Sequence, residues 1–189
     1  MSLSIAIVCG SVREDRKSIL AANYIAAQVV AAGHTAVVVD FIKLPLPFVD
    51  TPVTPSSLKG KYPYPEVMEW SKIAASADAF ILVAPEYNHG YSAIMKNALD
   101  WLYSEFASKP AGLVGVSDGM VGGARVIEQL RALCGGFGMY DIKETVMFRK
   151  VQDVLDENGK LLDPSYEKQV NKLIAALVKV GEIMKGLRK

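Results

Sequence analysis

Cysteine and histidine are scarce in this chain, with two of each among 189 residues. Cys9 and Cys134 stand alone in the sequence, without metal-ligand spacing, so neither a disulfide framework nor a Cys/His metal centre is expected. Two thiols in a chain this long read as reduced, buried, small apolar residues, which points to a cytoplasmic protein. Charge of one sign is lacking too: 21 Lys and Arg face 20 Asp and Glu, for a net charge of +1. No basic tract recommends nucleic acid as a partner, and no acidic patch recommends a cationic docking partner. No apolar run approaches the roughly 20 residues needed to span a bilayer. The chain passes from Met1 straight into a strand, without the pattern of a signal peptide. GxGxxG and GxxxxGKS/T are both missing, so the dinucleotide and P-loop fingerprints are set aside. Without repeats or low-complexity linkers, residues 1–189 are expected to form one domain.

What is present is a regular alternation of strands and helices in a chain that is 51% hydrophobic. Leu3 to Val8 is an apolar strand that ends in Cys9-Gly10-Ser11. A helix over Lys17 to Ala32 follows, with Ile19, Leu20, Tyr24, Ala27 and Val30 near one face and Gly33 as its stop. A second strand, Thr35 to Val39, closes on Asp40. Residues 41–65 carry six prolines and read as a surface loop. Glu66 to Ser76 is a helix leading to the third strand, Phe80 to Ala84, whose continuous large apolar residues suit a strand buried on both faces. A helix opens near Ser92. The fourth strand is Ala111 to Val116, the next helix Ala124 to Leu133, and the glycines at 135, 136 and 138 lead to a fifth strand, Tyr140 to Phe148. Asn158-Gly159 reads as a hairpin turn. Val170, Leu173, Ile174, Leu177, Ile183 and Met184 stripe a last helix.

Five strands joined by helices imply a parallel sheet covered on both faces, a three-layer α/β sandwich. With strand order 2-1-3-4-5 the first, third and fourth strands are neighbours. Ligands then bind beyond their carboxyl ends, and flavodoxin, which has this order, holds FMN at that switch point. The loops after those three strands are the unusual ones. Gly10 to Ser18 offers hydroxyls, Arg13, Arg16 and a helix amino end, which suits a phosphate; an ordinary capped helix with solvated charges is the bland alternative. Glu14 and Asp15 are expected to point outward. Pro85-Glu86-Tyr87-Asn88-His89-Gly90 offers backbone amides, an aromatic face and hydrogen-bonding tips, which suits a planar heteroaromatic ring. Ser117, Gly119, Gly122 and Gly123 allow close backbone approach to a polar ring edge, or serve only tight turning.

Gly10-Ser11-Val12-Arg13 with Ser18, and Pro85 to Ser92 with Lys96-Asn97-Ala98-Leu99-Asp100-Trp101-Leu102, resemble the NADPH-dependent FMN reductase family, which includes azo-dye, quinone and chromate reductases. The resemblance covers nearly the whole chain. It implies a flavodoxin-like fold, a tightly bound FMN and NADPH or NADH as donor. It also implies a small-molecule electron acceptor (quinone, azo compound, flavin or chromate) and a homodimer or homotetramer with the flavin near a subunit interface. By the same resemblance Ser11, Arg13 and Ser18, with Arg16 as an addition, bind the FMN phosphate. Pro85, Glu86, Tyr87 and Asn88 line the ribityl chain and ring, and Ser117, Gly119, Gly122 and Gly123 approach the ring's other edge. His89 and Tyr91 are candidates to touch substrate, and Arg125 to read a nucleotide phosphate. No side chain is needed as a covalent nucleophile and no metal is implied, because the flavin carries the chemistry. Two features depart from the family pattern: Glu14-Asp15-Arg16-Lys17 lengthens the first loop, and Gly90 replaces the usual serine. A different class remains open at this stage, a flavodoxin-like electron carrier or flavin-binding sensor. Such carriers dock through strong charge patches, which this chain lacks. Trp101, Met95, Leu99 and Leu102 could serve either a core or an interface.

Overall fold

The computed structural model describes residues 1–187. Its centre is a five-stranded, all-parallel sheet of order β2-β1-β3-β4-β5. The strands are β1 Ser4–Cys9, β2 Thr35–Asp40, β3 Ala79–Pro85, β4 Pro110–Val116 and β5 Tyr140–Phe148. Six helices connect or follow them: α1 Lys17–Ala31, α2 Pro65–Ser76, α3 Ala93–Asp100, α4 Ala124–Gly136, the single turn α5 Val151–Val154, and α6 Ser165–Leu187. This is the flavodoxin-like arrangement.

Every residue of β3 and β4 is buried, as expected of central parallel strands covered on both faces. Alternate residues feed two cores. Ile5, Ile7, Cys9, Ile81 and Val83 pack with α1 and α6, whereas Ala6, Val8, Phe80 and Leu82 pack with α2, α3 and α4. Met95, Leu99, Trp101 and Leu102 are buried within this chain's own core, which removes them as candidates for an exposed interface. Cys9 and Cys134 are free and buried. Burial pushes both thiols up, Cys134 to about 12, so neither is a poised thiolate.

Three features differ from the sequence reading. Helix α1 presents Ser18, Ala21, Ala22, Ile25 and Val29 inward and leaves Val30 exposed. Small side chains let this helix lie close to the sheet, and the larger Ile19, Leu20 and Tyr24 pack half-buried against the flank of the same core. Helix α4 runs through Gly135 and Gly136 and stops only where Gly138 takes φ +67°. Gly138 N donates to Gly135 O and Met139 N to Cys134 O, the Schellman pattern, which Gly33 repeats after α1. In α6 the apolar stripe continues inward as far as Leu177 and Gly181, and Ile183 is exposed. The proline-rich loop contains a 3-10 turn at Pro55–Leu58. The Asn158-Gly159 turn closes a single antiparallel bridge, Leu155 to Leu161.

A buried polar cluster holds the turn after α3 against α2. The Glu105 carboxylate accepts from Tyr62 Oη at 2.6 Å and Ser71 Oγ at 2.7 Å. Burial pushes the Glu105 carboxyl up, but these donors outweigh it and hold the pKa below its ordinary value. A depressed folded-state pKa stabilises the fold above the unfolded-chain value, and that contribution disappears as pH falls through the folded value. Tyr62→Phe is therefore expected to lose roughly 1.5–3 kcal/mol near neutrality and to move acid unfolding to higher pH. Acid titration followed by circular dichroism checks this; an unchanged midpoint would show that the cluster is energetically idle.

Candidate functional site

The carboxyl ends of β1, β3 and β4 meet at one cleft of about 430 Å³, within the size range of small-molecule and cofactor sites. Its lining includes Ser11, Arg13, Arg16 and Ser18 from the first loop, Pro85, Glu86 and Tyr87 from the second, and Ser117 from the third. The structure thus brings all three chemistry-bearing loops together. Lys17, Val116, Asp118 and the α5 residues Val151 and Gln152 also line it. None of these is among the site residues expected from the sequence. Val151 N donates to Ser117 O, which folds α5 onto the third loop, a contact without local sequence signal.

One end of the cleft is built for an anion. Helix α1 begins with no side-chain cap and no acidic residue in its first turn, so its free amides and dipole face the loop. Ser11 and Ser18 are buried there; Glu14 and Asp15 are exposed but also line the cleft, so contrary to expectation they are not turned away from it. Arg16 is partly buried and its terminal nitrogen donates to both carboxylate oxygens of Asp40 at 2.7 Å. Its Nε is buried with no hydrogen-bond partner among the described residues. An orphaned guanidinium N–H beside two buried hydroxyls and uncapped helix amides is the donor set that a phosphate satisfies, so the residues fit the phosphate end of FMN.

The second loop is a two-residue hairpin. Tyr87 N donates to Gly90 O and Gly90 N to Tyr87 O, at 2.9 and 3.0 Å. Asn88 and His89 form its tip with φ of +49° and +70°, the mirror-image turn geometry that right-twisted hairpins favour. Both tip residues are exposed. Tyr87 leans on the first loop: its hydroxyl shares a 2.7 Å hydrogen bond with Ser11 Oγ, and Arg13 sits over its ring at 5.8 Å. Ser92, the N-cap of α3, donates to Gly10 O and accepts from Met95 N, tying the same two loops from beneath.

The side chain of Glu86 turns away from the hairpin to cap α4. It accepts from Arg125 N at 3.1 Å and Arg125 Nη1 at 2.9 Å, which stabilises the helix amino end. Arg125 is thereby engaged as an ion-pair partner. Gly122 and Gly123 lie outside the cleft lining. A Cβ on Gly123 would meet Gly115 Cα at 2.8 Å, and Gly123 holds φ +82°, so close packing of the third loop on β4 accounts for this glycine. Gly119 N donates to Ser117 Oγ at 2.9 Å, a local turn at the cleft wall. Asn88, His89, Tyr91 and Gly119 are not among the lining residues. Among the described residues there is no cluster of three or more His, Cys, Asp or Glu placed to hold a metal, and no helix long and apolar enough to cross a membrane.

The parallel sheet of this order and the anion-to-ring cleft at its switch point define a flavodoxin-like nucleotide-cofactor protein. Residues 3–153 match the family model for NADPH-dependent FMN reductase, and the chain belongs to that family. It is an oxidoreductase that works with FMN as cofactor and NAD(P)H as donor. An NAD(P)H-dependent FMN reductase of Pseudomonas aeruginosa is 31% identical over 60% of this chain and 64% of its own length, just under two thirds. One from Saccharomyces cerevisiae is 32% identical over 72% and 76%. A 2-hydroxy-1,4-benzoquinone reductase of a Burkholderia species is 29% identical over 89% and 90%. Among solved structures, the flavoenzyme NAD(P)H:(acceptor) oxidoreductase FerB of Paracoccus denitrificans superimposes with a TM-score of 0.77 at 20% identity, covering 96% of this chain and 98% of that one. At that identity the likeness supports the fold.

Proposed function

We propose that this enzyme reduces quinone-type acceptors, with FMN seated in the cleft, its phosphate at the amino end of α1 and its ring between the Tyr87 hairpin and the Ser117 turn. The observation that carries this reading is the orphaned Nε of Arg16 beside buried Ser11 and Ser18 at an uncapped helix end. The benzoquinone reductase among the relatives supports the acceptor class. When bound, FMN supplies the hydride chemistry, receiving from the nicotinamide and delivering to the acceptor in turn.

The chain's own residues bind and orient. Ser11 and Ser18 hydroxyls and the α1 amides donate to the phosphate, and Arg13 covers it from the solvent side. Arg16 donates its free N–H while Asp40 neutralises and fixes the rest of its guanidinium. Pro85 removes a backbone donor and so keeps an apolar wall where β3 ends. Tyr87 supplies the flat contact, fixed from its hydroxyl by Ser11. Glu86 is a positioning residue, because its carboxylate is spent on α4. The exposed tip, Asn88 and His89, with Tyr91, borders the place where donor and acceptor alternate. Gly119, Gly122 and Gly123 shape the third loop so that its backbone approaches the ring edge.

The enzyme works as a homodimer or homotetramer in the cytoplasm. The exposed apolar side chains of Phe48 and Met120 support an assembly, and two free, buried cysteines accord with a reducing compartment. Sedimentation velocity reads the assembly directly; a monomer at micromolar concentration would contradict it.

Side chains that touch the ring are separable from those at the rim. Tyr87→Ala is expected to change the visible spectrum of bound flavin and to lower turnover more than His89→Ala does, because Tyr87 lines the cleft and His89 is a turn tip. Absorbance titration and steady-state rates with a benzoquinone check the ranking; the opposite order would place the ring on the other side of the hairpin.

A further inference from the structure

We propose that Gln129 is a positioning residue for the Tyr87 hairpin, and that Gly90 is its counterpart, leaving the space Gln129 occupies. The proposal rests on the reading that this hairpin faces the flavin. Asn88 and His89 both adopt positive φ without either being glycine, a conformation this type of turn requires at both tip positions and one that an outside contact helps to hold. Gln129 Nε2 donates to His89 O at 2.9 Å, which links the tip to the body of the fold. One helical turn earlier on the same face of α4, Arg125 N and Nη1 bind Glu86. Helix α4 therefore grips the hairpin on both sides of Tyr87, through Glu86 before it and His89 after it.

The departure at Gly90 follows from the same contact. Gly90 is not among the glycines with positive φ, so backbone freedom does not explain it. A Cβ built there would lie 3.1 Å from Gln129 Oε1, closer than a comfortable contact. A glycine at 90 lets the amide of Gln129 dock on the neighbouring carbonyl, and the docked amide holds the Tyr87 ring where Arg13 and Ser11 meet it.

Gln129→Glu keeps the shape of the side chain but, when ionised, has no proton to donate. In the FMN-loaded protein this variant is expected to speed amide exchange at Tyr87 and Gly90 roughly three- to tenfold. It should alter the visible circular dichroism of the flavin and raise KM for a benzoquinone more than it lowers kcat. Gly90→Val, which displaces the same amide, should reproduce these changes, and the double variant should add nothing further because both remove one contact. Unchanged exchange in Gln129→Glu, or additive effects in the double variant, would overturn the proposal. The wild-type signal separates the two readings. Absence of induced circular dichroism on adding FMN to wild type would overturn the cofactor placement. A wild-type signal that Gln129→Glu leaves untouched would overturn the positioning role of Gln129 alone.

Discussion

Replacing Asp40 with alanine is expected to destabilise the protein by about 3–5 kcal/mol, the effect of stripping one partner from a buried ion pair. Asp40 and Arg16 are 8% and 12% exposed, and both carboxylate oxygens of Asp40 bind the same guanidinium nitrogen. Asp40 Oδ1 also accepts from Ile42 N at 3.0 Å, so the variant additionally frees the start of the loop after β2. With Asp40 gone, Arg16 keeps a buried charge whose Nε already lacks a partner. Such a loss removes a large part of the stability of a domain this size. The double variant Arg16→Ala/Asp40→Ala should recover much of it, because no charge is then stranded. FMN gives the diagnostic comparison. Its phosphate supplies a replacement counter-charge at the same place, so saturating FMN should raise the melting temperature of Asp40→Ala more than that of wild type. Thermal unfolding with and without FMN measures both effects. A variant as stable as wild type, or one that FMN stabilises no more than wild type, would mean that Arg16 is independent of the phosphate site.

Arg13→Ala is expected to weaken FMN binding roughly ten- to a hundredfold, the loss of one charge-assisted contact of about 1.5–3 kcal/mol. The side chain is exposed and rests over the Tyr87 ring. Unlike Arg16 it has no carboxylate partner among the described residues, so its charge is available to the ligand. Added salt should weaken FMN binding to wild type more than to the variant, because an exposed charge contact is screened. Riboflavin has the same ring without the phosphate, and its affinity should be equal for the two proteins. Fluorescence titration with both flavins separates the contributions. An unchanged FMN affinity, or an equal loss for riboflavin, would take Arg13 away from the phosphate.

The fold was readable because the central strands advertise themselves. Residues Phe80 to Ala84 form an unbroken apolar run, and burial on both faces requires one. The three loops were readable for a related reason, since residues with no place in a core cluster just after strands one, three and four. Length and charge obscured other features. Helix α1 was legible only in part: Ile19, Leu20 and Tyr24 do pack against the core, but its most buried positions include two alanines, which carry a weak hydrophobic signal. The glycines at 135 and 136 resembled a helix end, yet only Gly138 takes the left-handed conformation that ends one.

The wiring beneath the site was not readable at all. Arg16 meets Asp40, Glu86 meets Arg125 and Gln129 meets the His89 carbonyl across 24 to 40 residues of sequence, and none of these pairs has a local period. Their consequence for the roles is specific. Glu86 belongs to the motif by sequence but uses its side chain to cap a helix. Arg16, the residue that lengthens the first loop, arrives at the cleft already neutralised. Of the residues the resemblance names, the fold brings Ser11, Arg13, Arg16, Ser18, Pro85, Glu86, Tyr87 and Ser117 to one cleft, and the contacts show which side chains are already committed to neighbouring groups.

The most direct test of the whole account is anaerobic stopped-flow absorbance of the purified protein, loaded with FMN and mixed with NADPH or NADH. The account predicts stoichiometric FMN binding, rapid bleaching of the flavin by at least one of the two donors, and recovery of colour when a benzoquinone is added. Flavin that binds but is not bleached by either donor would contradict it and leave an electron carrier or sensor. A protein that does not bind FMN would contradict the assignment of the cleft itself.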